Sequence, residues 1–158
     1  MSGHEYILRD ASATDLPEVV RIYNESVAGR RACVTVHSRQ AWFDAHTPER
    51  DPFVVACPRG RASEIVGWTC LQPYHLRDGY WPTAEVRTYI STAHHGRGLG
   101  TLLRGEILAR SRNLAIDRVI SVVFTHHHAS RRLNQKFGFE QWGLLPGVVD
   151  LPARAVMW

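Results

Sequence analysis

Between a strand-like segment ending near Ser91 and a helix-like one starting at Leu99, the chain reads His94-His95-Gly96-Arg97-Gly98-Leu99-Gly100-Thr101. A glycine-rich corner that feeds a helix leaves main-chain N–H groups without partners, and the helix dipole adds roughly half a positive charge there. Such a corner suits a phosphate. A nucleotide P-loop would need a lysine after its last glycine, and none follows Gly100. A dinucleotide fingerprint starting at Gly98 would want a small residue where Leu103 stands, and Asp117 precedes the next strand instead of ending one. The P-loop motif fails, the dinucleotide fingerprint is a weak match, and on the glycines alone a plain helix-capping turn stays open.

Other residues carry chemistry of their own. In a strand from Thr83 to Ser91, alternation puts Glu85, Arg87 and Tyr89 on one face and Ala84, Val86, Thr88 and Ile90 on the other. A carboxylate on a central strand is not there for strand propensity. It reads either as a general base or as the partner of Arg87. The guanidinium of Arg77 suits a carboxylate ligand, or is a solvated loop charge beside Asp78. Trp68, Tyr74 and Trp81 wall a pocket or fill the core. His94, His95, His126, His127 and His128 have no carboxylate or cysteine at ligand spacing, so no metal site is expected. Cys33, Cys57 and Cys70 show no pairing pattern and read as reduced core thiols.

These residues need a scaffold. Tyr6 to Arg9 predicts a strand, and Ala13-Thr14-Asp15 opens a helix through Leu16, Val19, Val20 and Ile22. Ser38 to Ala45 predicts a second helix with Ser38 as its N-cap. Phe53 to Ala56 and Ile65 to Gln72 predict a hairpin across Pro58-Arg59-Gly60-Arg61. A helix from Leu99 to Asn113 lays Leu99, Leu102, Leu103 and Ile107 on the sheet and holds the glycine corner at its edge. A strand from Arg118 to Phe124 and a helix from Ser130 to Phe137 follow, and Val148 to Trp158 supplies one or two further strands. Strand, crossover helix and strand imply a parallel or mixed sheet covered by helices.

The 158 residues fit one domain, 1–158, and 44% hydrophobic content supports one core. The net charge of +4 is spread over scattered arginines among 15 acidic residues, so no nucleic-acid stripe is present and a polyphosphate ligand accounts for the excess. No apolar stretch approaches the roughly 18 residues that cross a membrane, and Met1 to Tyr6 lacks a signal-peptide shape. A cytoplasmic protein without a membrane partner is expected.

The segment Glu85-Val86-Arg87-Thr88-Tyr89-Ile90-Ser91, the glycine corner and Leu99-Gly100-Thr101-Leu102-Leu103-Arg104 together resemble the acetyl-coenzyme A motif of the GNAT N-acetyltransferase superfamily. Ala129-Ser130-Arg131-Arg132-Leu133-Asn134-Gln135-Lys136-Phe137-Gly138-Phe139 is similar to its later helix ending in Gly-Phe. Arg39-Gln40-Ala41-Trp42-Phe43 and Arg77-Asp78-Gly79-Tyr80-Trp81-Pro82-Thr83-Ala84-Glu85 most resemble the phosphinothricin acetyltransferase-like branch. The likeness spans about residues 5 to 145 and rests on four ordered blocks.

The resemblance implies an α/β fold of mixed α+β type: a mostly antiparallel sheet with two splayed parallel strands, flanked by helices. It implies acetyl-coenzyme A as cosubstrate, no metal, and direct transfer of acetyl to the amine of a small amino acid or analogue. Glu85 becomes the general base. Tyr89, Ile90 and Ser91 hold the pantetheine arm, and His95, Gly96, Arg97, Gly98, Leu99, Gly100 and Thr101 hold the pyrophosphate, with His127 and Ser130 beside them. Arg77, Tyr80, Trp68 and Tyr74 meet the acceptor, and small enzymes of the family often form homodimers. The sequence departs from the pattern in three places. His95 replaces Gln or Arg, His127 replaces Asn, and Asn134 replaces the Tyr or His proposed to protonate the leaving thiolate. An amide cannot give up a proton at useful pH. Acetylation of a protein or peptide by the same fold, and a non-catalytic coenzyme A-binding domain, are the alternatives.

Overall fold

A computed structural model describes residues 5–27, 33–148 and 156–157. Five strands form one sheet in the order β1 (Tyr6–Asp10), β2 (Phe53–Pro58), β3 (Gly67–Pro73), β4 (Thr83–Ile90) and β5 (Arg118–Ile120). The pairs from β1 to β4 are antiparallel, and β4 with β5 is parallel. Among the described residues four α-helices flank it: α1 (Leu16–Ser26), α2 (Val36–Asp44), α3 (Leu99–Ser111) and α4 (His128–Lys136). A small antiparallel pair, β6 (Leu145–Pro146) and β7 (Val156–Met157), stands apart from the sheet. No helix among the described residues is long and apolar enough to cross a membrane.

All six residues of β2 are buried, which follows from helices covering both faces of the sheet. Alternation divides the strand between two cores. Phe53, Val55 and Cys57 join Trp68 and Cys70 under Leu16, Val19 and Ile22 of α1 and Phe43 of α2. Val54 and Ala56 join Leu71, Ala84 and Val86 under Leu99, Leu103 and Ile107 of α3. The stripe expected on α3 is therefore the buried one, with Leu102 at its partly buried margin.

Three local expectations are corrected. Thr35, not Ser38, caps α2: its hydroxyl accepts the Ser38 N–H at 3.1 Å while Ser38 Oγ accepts the Thr35 N–H at 3.1 Å. Cys33 is exposed, whereas Cys57 and Cys70 are core thiols. The strand expected to run to Phe124 leaves the sheet after Ile120. The tail expected to hold strands from Val148 onward has 149–155 and 158 outside the described residues.

Candidate active site

The early end of β5 shapes the site. Thr83, Ala84 and Glu85 of β4 pair with Arg118, Val119 and Ile120, and then β4 continues to Ile90 without that neighbour. The Ser91 N–H donates to the Val66 carbonyl at 2.9 Å, and the Thr83 carbonyl accepts the Tyr74 N–H at 3.2 Å. Residues of that parity thus spend their main-chain groups on the β3 side, and alternation turns those of Thr88 and Ile90 toward the opening. On that side the Ile90 carbonyl accepts from His95 Nε2 at 2.9 Å, so this ring nitrogen carries the proton. His94 Nδ1 lies 2.9 Å from the Tyr6 hydroxyl, tying the same loop to β1. The two histidines fasten the corner.

At the mouth of the opening the chain turns through Gly96 at φ +74° and Gly98 at φ +77°, a left-handed backbone that favours glycine. Gly98 is the N-cap of α3, and its carbonyl accepts the Leu102 N–H at 3.1 Å. Among the described residues no N–H from Gly96 to Thr101 donates to a protein group. Six neighbouring donors at a helix N-terminus fit a pyrophosphate. A methyl at Gly100 would sit 3.3 Å from Ile90 Cδ1 and 3.5 Å from Leu133 Cδ2, so the first turn of α3 closes against both β4 and α4. His127 caps α4, and its Nδ1 lies 2.8 Å from Ser130 Oγ. Arg97 reaches Glu5 at 3.4 Å on the exposed rim.

Glu85 is the last residue at which β4 and β5 pair. Its side chain is 17% exposed and is held from two sides: Gln72 Nε2 donates to Oε2 at 2.8 Å, and Arg87 Nε to Oε1 at 3.2 Å. The ion pair weighed against the base role is therefore present. It leaves the carboxylate oriented rather than hidden. Trp42 Nε1 donates to Gln72 Oε1 at 3.2 Å, which fixes the amide with its nitrogen toward Glu85. Burial works against the Arg87 cation, but Glu85 outweighs it and holds Arg87 above its ordinary value. Burial pushes the Tyr89 phenol up to about 12, so it stays neutral.

Beside this group lies a narrow depression of about 10 Å³ lined by Tyr23, Arg39, Trp42, Trp68 and Arg87 among others. The Arg39 guanidinium lies 5.6 Å from the Tyr23 ring centre and 5.4 Å from that of Trp42. Trp68 is thus both core and pocket floor. Arg77 instead lines a separate cleft of about 90 Å³, with Asp78, His75 and Trp81, at the start of β4. Tyr74 and Tyr80 are exposed, with ring centres 6.2 Å apart. Arg87, the ion-pair partner of Glu85, lines this depression with Trp68, whereas Arg77 lies in the other cleft. Gln72, Arg39, Trp42 and Tyr23 were not expected at the site. The Gln72–Glu85 register across the hairpin was the signal for the first of them.

A sheet opened between parallel strands, with a corner of main-chain donors at the mouth and a carboxylate at the vertex, fits an acyl-coenzyme A-dependent transferase. The chain belongs to the GNAT acetyltransferase family, whose Acetyltransferase (GNAT) domain matches residues 6–140. YwnH of Bacillus subtilis, a candidate phosphinothricin acetyltransferase by name, is 35% identical over 152 residues, covering 93% of this chain and 91% of its own. The L-methionine sulfoximine/L-methionine sulfone acetyltransferase of Pseudomonas paraeruginosa is 31% identical, covering 89% and 84%. The crystal structure of a phosphinothricin acetyltransferase from Sinorhizobium meliloti in complex with acetyl-coenzyme A superposes with a TM-score of 0.86 at 27% identity, covering 97% and 86%.

Proposed function

We propose that this acetyltransferase moves acetyl from acetyl-coenzyme A to the primary amine of a small amino acid or an analogue bearing a tetrahedral sulfur or phosphorus group. Glu85 carries the reading: a largely buried carboxylate, oriented by Gln72 and Arg87, at the point where the parallel strands part. The relatives' names supply the acceptor class.

An α-amine with a pKa of about 8 needs only about 1.4 kcal/mol to become neutral at pH 7, whereas fixing two reactants in place contributes about 7–11 kcal/mol. Positioning dominates for such an acceptor. Glu85 takes the amine proton, through a water, as the carbon–nitrogen bond forms. The N–H groups of residues 96–101 hold the pyrophosphate. Main-chain donors turned to the opening at Thr88 and Ile90 meet the pantetheine arm, and one polarises the thioester carbonyl, a contribution of about 3–4 kcal/mol. The acceptor carboxylate docks on Arg39, which has no carboxylate partner among the described residues. Arg77 and Tyr80 are the competing fork.

A thiol-release screen with acetyl-coenzyme A tests this against free amino acids, their sulfone, sulfoximine and phosphinic analogues, polyamines and peptides. Turnover is expected on the amino-acid analogues, and activity confined to peptides overturns the acceptor class. Glu85→Gln should lower kcat by about 10²–10⁴-fold with coenzyme A affinity kept. Full turnover in that variant removes Glu85 from the chemistry. Arg39→Gln should raise KM for the acceptor. If only Arg77→Gln does so, the loop holds the carboxylate.

A further inference from the structure

Arg104 is 3% exposed, yet it has no carboxylate partner among the described residues. It spans the opening on the α3 side of the sheet. Its Nη1 donates to Asn134 Oδ1 of α4 at 2.7 Å, and its Nη2 reaches Thr88 Oγ1 of β4 at 3.4 Å. Asn134 Nδ2 in turn donates to Ser121 Oγ, just beyond β5, at 3.0 Å. Buried Nε has no hydrogen-bond acceptor, and the Phe139 ring centre lies 5.4 Å from the guanidinium carbon. A cation buried without a counter-charge is strongly disfavoured. Neutral hydrogen bonds to an amide and a hydroxyl offset only part of that. Burial lowers the guanidinium to about 10, which leaves it charged near neutral pH. This uncompensated cation, held between β4 and α4 beside the opening, is the feature to explain.

Resting on the function proposed above, we propose that Arg104 stabilises the coenzyme A thiolate as it departs, supplying by charge what Asn134 cannot supply as a proton. In the transfer the amine nitrogen bonds to the acetyl carbon and the carbon–sulfur bond breaks. The electron pair stays on sulfur, and the amine proton leaves through Glu85. The sulfur is then a full anion, on which an adjacent buried cation acts more strongly than one in water. Asn134 and Thr88 aim the guanidinium fork from the two sides of the opening. Among the described residues, the titratable groups flanking the opening include the Glu85–Arg87 pair on the opposite face of β4, Arg131 on α4 and His127 at its N-cap. Arg131 Nη1 donates to the Thr125 carbonyl at 3.1 Å.

The test is the ionisation of coenzyme A bound to the full-length protein, followed by the ultraviolet absorbance of its thiolate as pH is raised. A nearby cation lowers an acid's pKa by about 1–3 units. The bound thiol should therefore titrate about 1–3 pH units below free coenzyme A. Arg104→Gln keeps hydrogen-bonding groups toward Asn134 and Thr88 but removes the charge, and should abolish the shift and lower kcat while calorimetry still shows coenzyme A binding. Arg104→Lys keeps the charge and should retain most of the shift. A purely structural bridge would lose stability in both variants without moving the thiol. A wild-type titration coincident with free coenzyme A, which needs no variant, or an unchanged shift in Arg104→Gln, overturns the proposal. Absence of calorimetric coenzyme A binding to the wild type overturns this inference and the proposed function together. Binding and turnover without a shifted thiol overturn this inference alone.

Discussion

Asp15, buried at the start of α1, accepts from Arg9 Nη1 at 2.7 Å and Nη2 at 2.8 Å, and from the Ser12 N–H at 2.7 Å. Burial alone would raise the Asp15 carboxyl, but the Arg9 fork and the Ser12 donors outweigh it and hold the group below its ordinary value. Arg9 is 33% exposed, so water screens the pair, and Asp15→Asn should cost about 1–3 kcal/mol by denaturant titration at pH 7. A depressed folded-state pKa means the contribution is complete above the ordinary carboxylate value of about 3.9 and is lost as pH falls through the folded value. The stability gap between wild type and Asp15→Asn should therefore close below about pH 4, and a gap constant to pH 2 contradicts the assignment. Other single residues differ in how far the sequence reveals them. Strand alternation puts Glu85 on the face of Arg87 and Tyr89, and the sequence leaves it between a base and an ion-pair partner. Gln72 is not, because its place opposite Glu85 depends on hairpin register. Arg104 is hidden by its type: helical periodicity assigns an arginine to solvent, although this one adjoins the buried stripe of Leu99, Leu103 and Ile107.

At the scale of elements, the distance between α3 and the sheet sets the height of the glycine corner over the opening. Gly67 opens β3 beneath that helix. A methyl there would sit 3.2 Å from Leu103 Cδ1, Leu99 Cδ2 and the Tyr89 carbonyl oxygen. The leucines can shift but the carbonyl belongs to the central strand, so Gly67→Ala should lift α3 and cost about 1–3 kcal/mol, read as a lowered Tm. It should also raise KM for acetyl-coenzyme A. An unchanged Tm would mean that the interface has slack. Helix α3, strand β4 and the β2–β3 hairpin are legible from periodicity and turn residues, since each buries a continuous stripe. The end of β5 is not. Ser121-Val122-Val123-Phe124 keeps strand-forming residues, and nothing local says that pairing with β4 stops at Ile120. The opening arises from where two strands separate, a relation between elements that no single segment encodes. The α2 boundary slipped for a different reason: Thr35 and Ser38 are both capping types and bond reciprocally, so composition cannot rank them.

For the whole molecule, rigidity and openness occupy different parts of one sheet. From β1 to β3 the strands are paired in sequence order, and β2 and β3 contribute to both cores, so their amides should exchange slowly without ligand. At the other edge, β4 beyond Glu85 lacks its parallel neighbour, and among the described residues those at 96–101 have no protein acceptors for their N–H groups. A ligand that supplies those acceptors should order this edge without altering the rest. At a concentration of one hundred times Kd, binding adds about 2.7 kcal/mol, which for a domain of this size raises Tm by about 5–10 °C. Hydrogen exchange with and without coenzyme A should then show slowed amides at residues 96–101 and at Thr88 and Ile90. The amides of β1, β2 and β3 should hardly change. Dephospho and desulfo forms of coenzyme A should keep the protection at 96–101, because both retain the pyrophosphate, whereas pantetheine should protect the β4 amides alone. Protection spread evenly through the sheet would mean that the ligand is held by global closure instead, and the glycine corner would lose its role as the anchor.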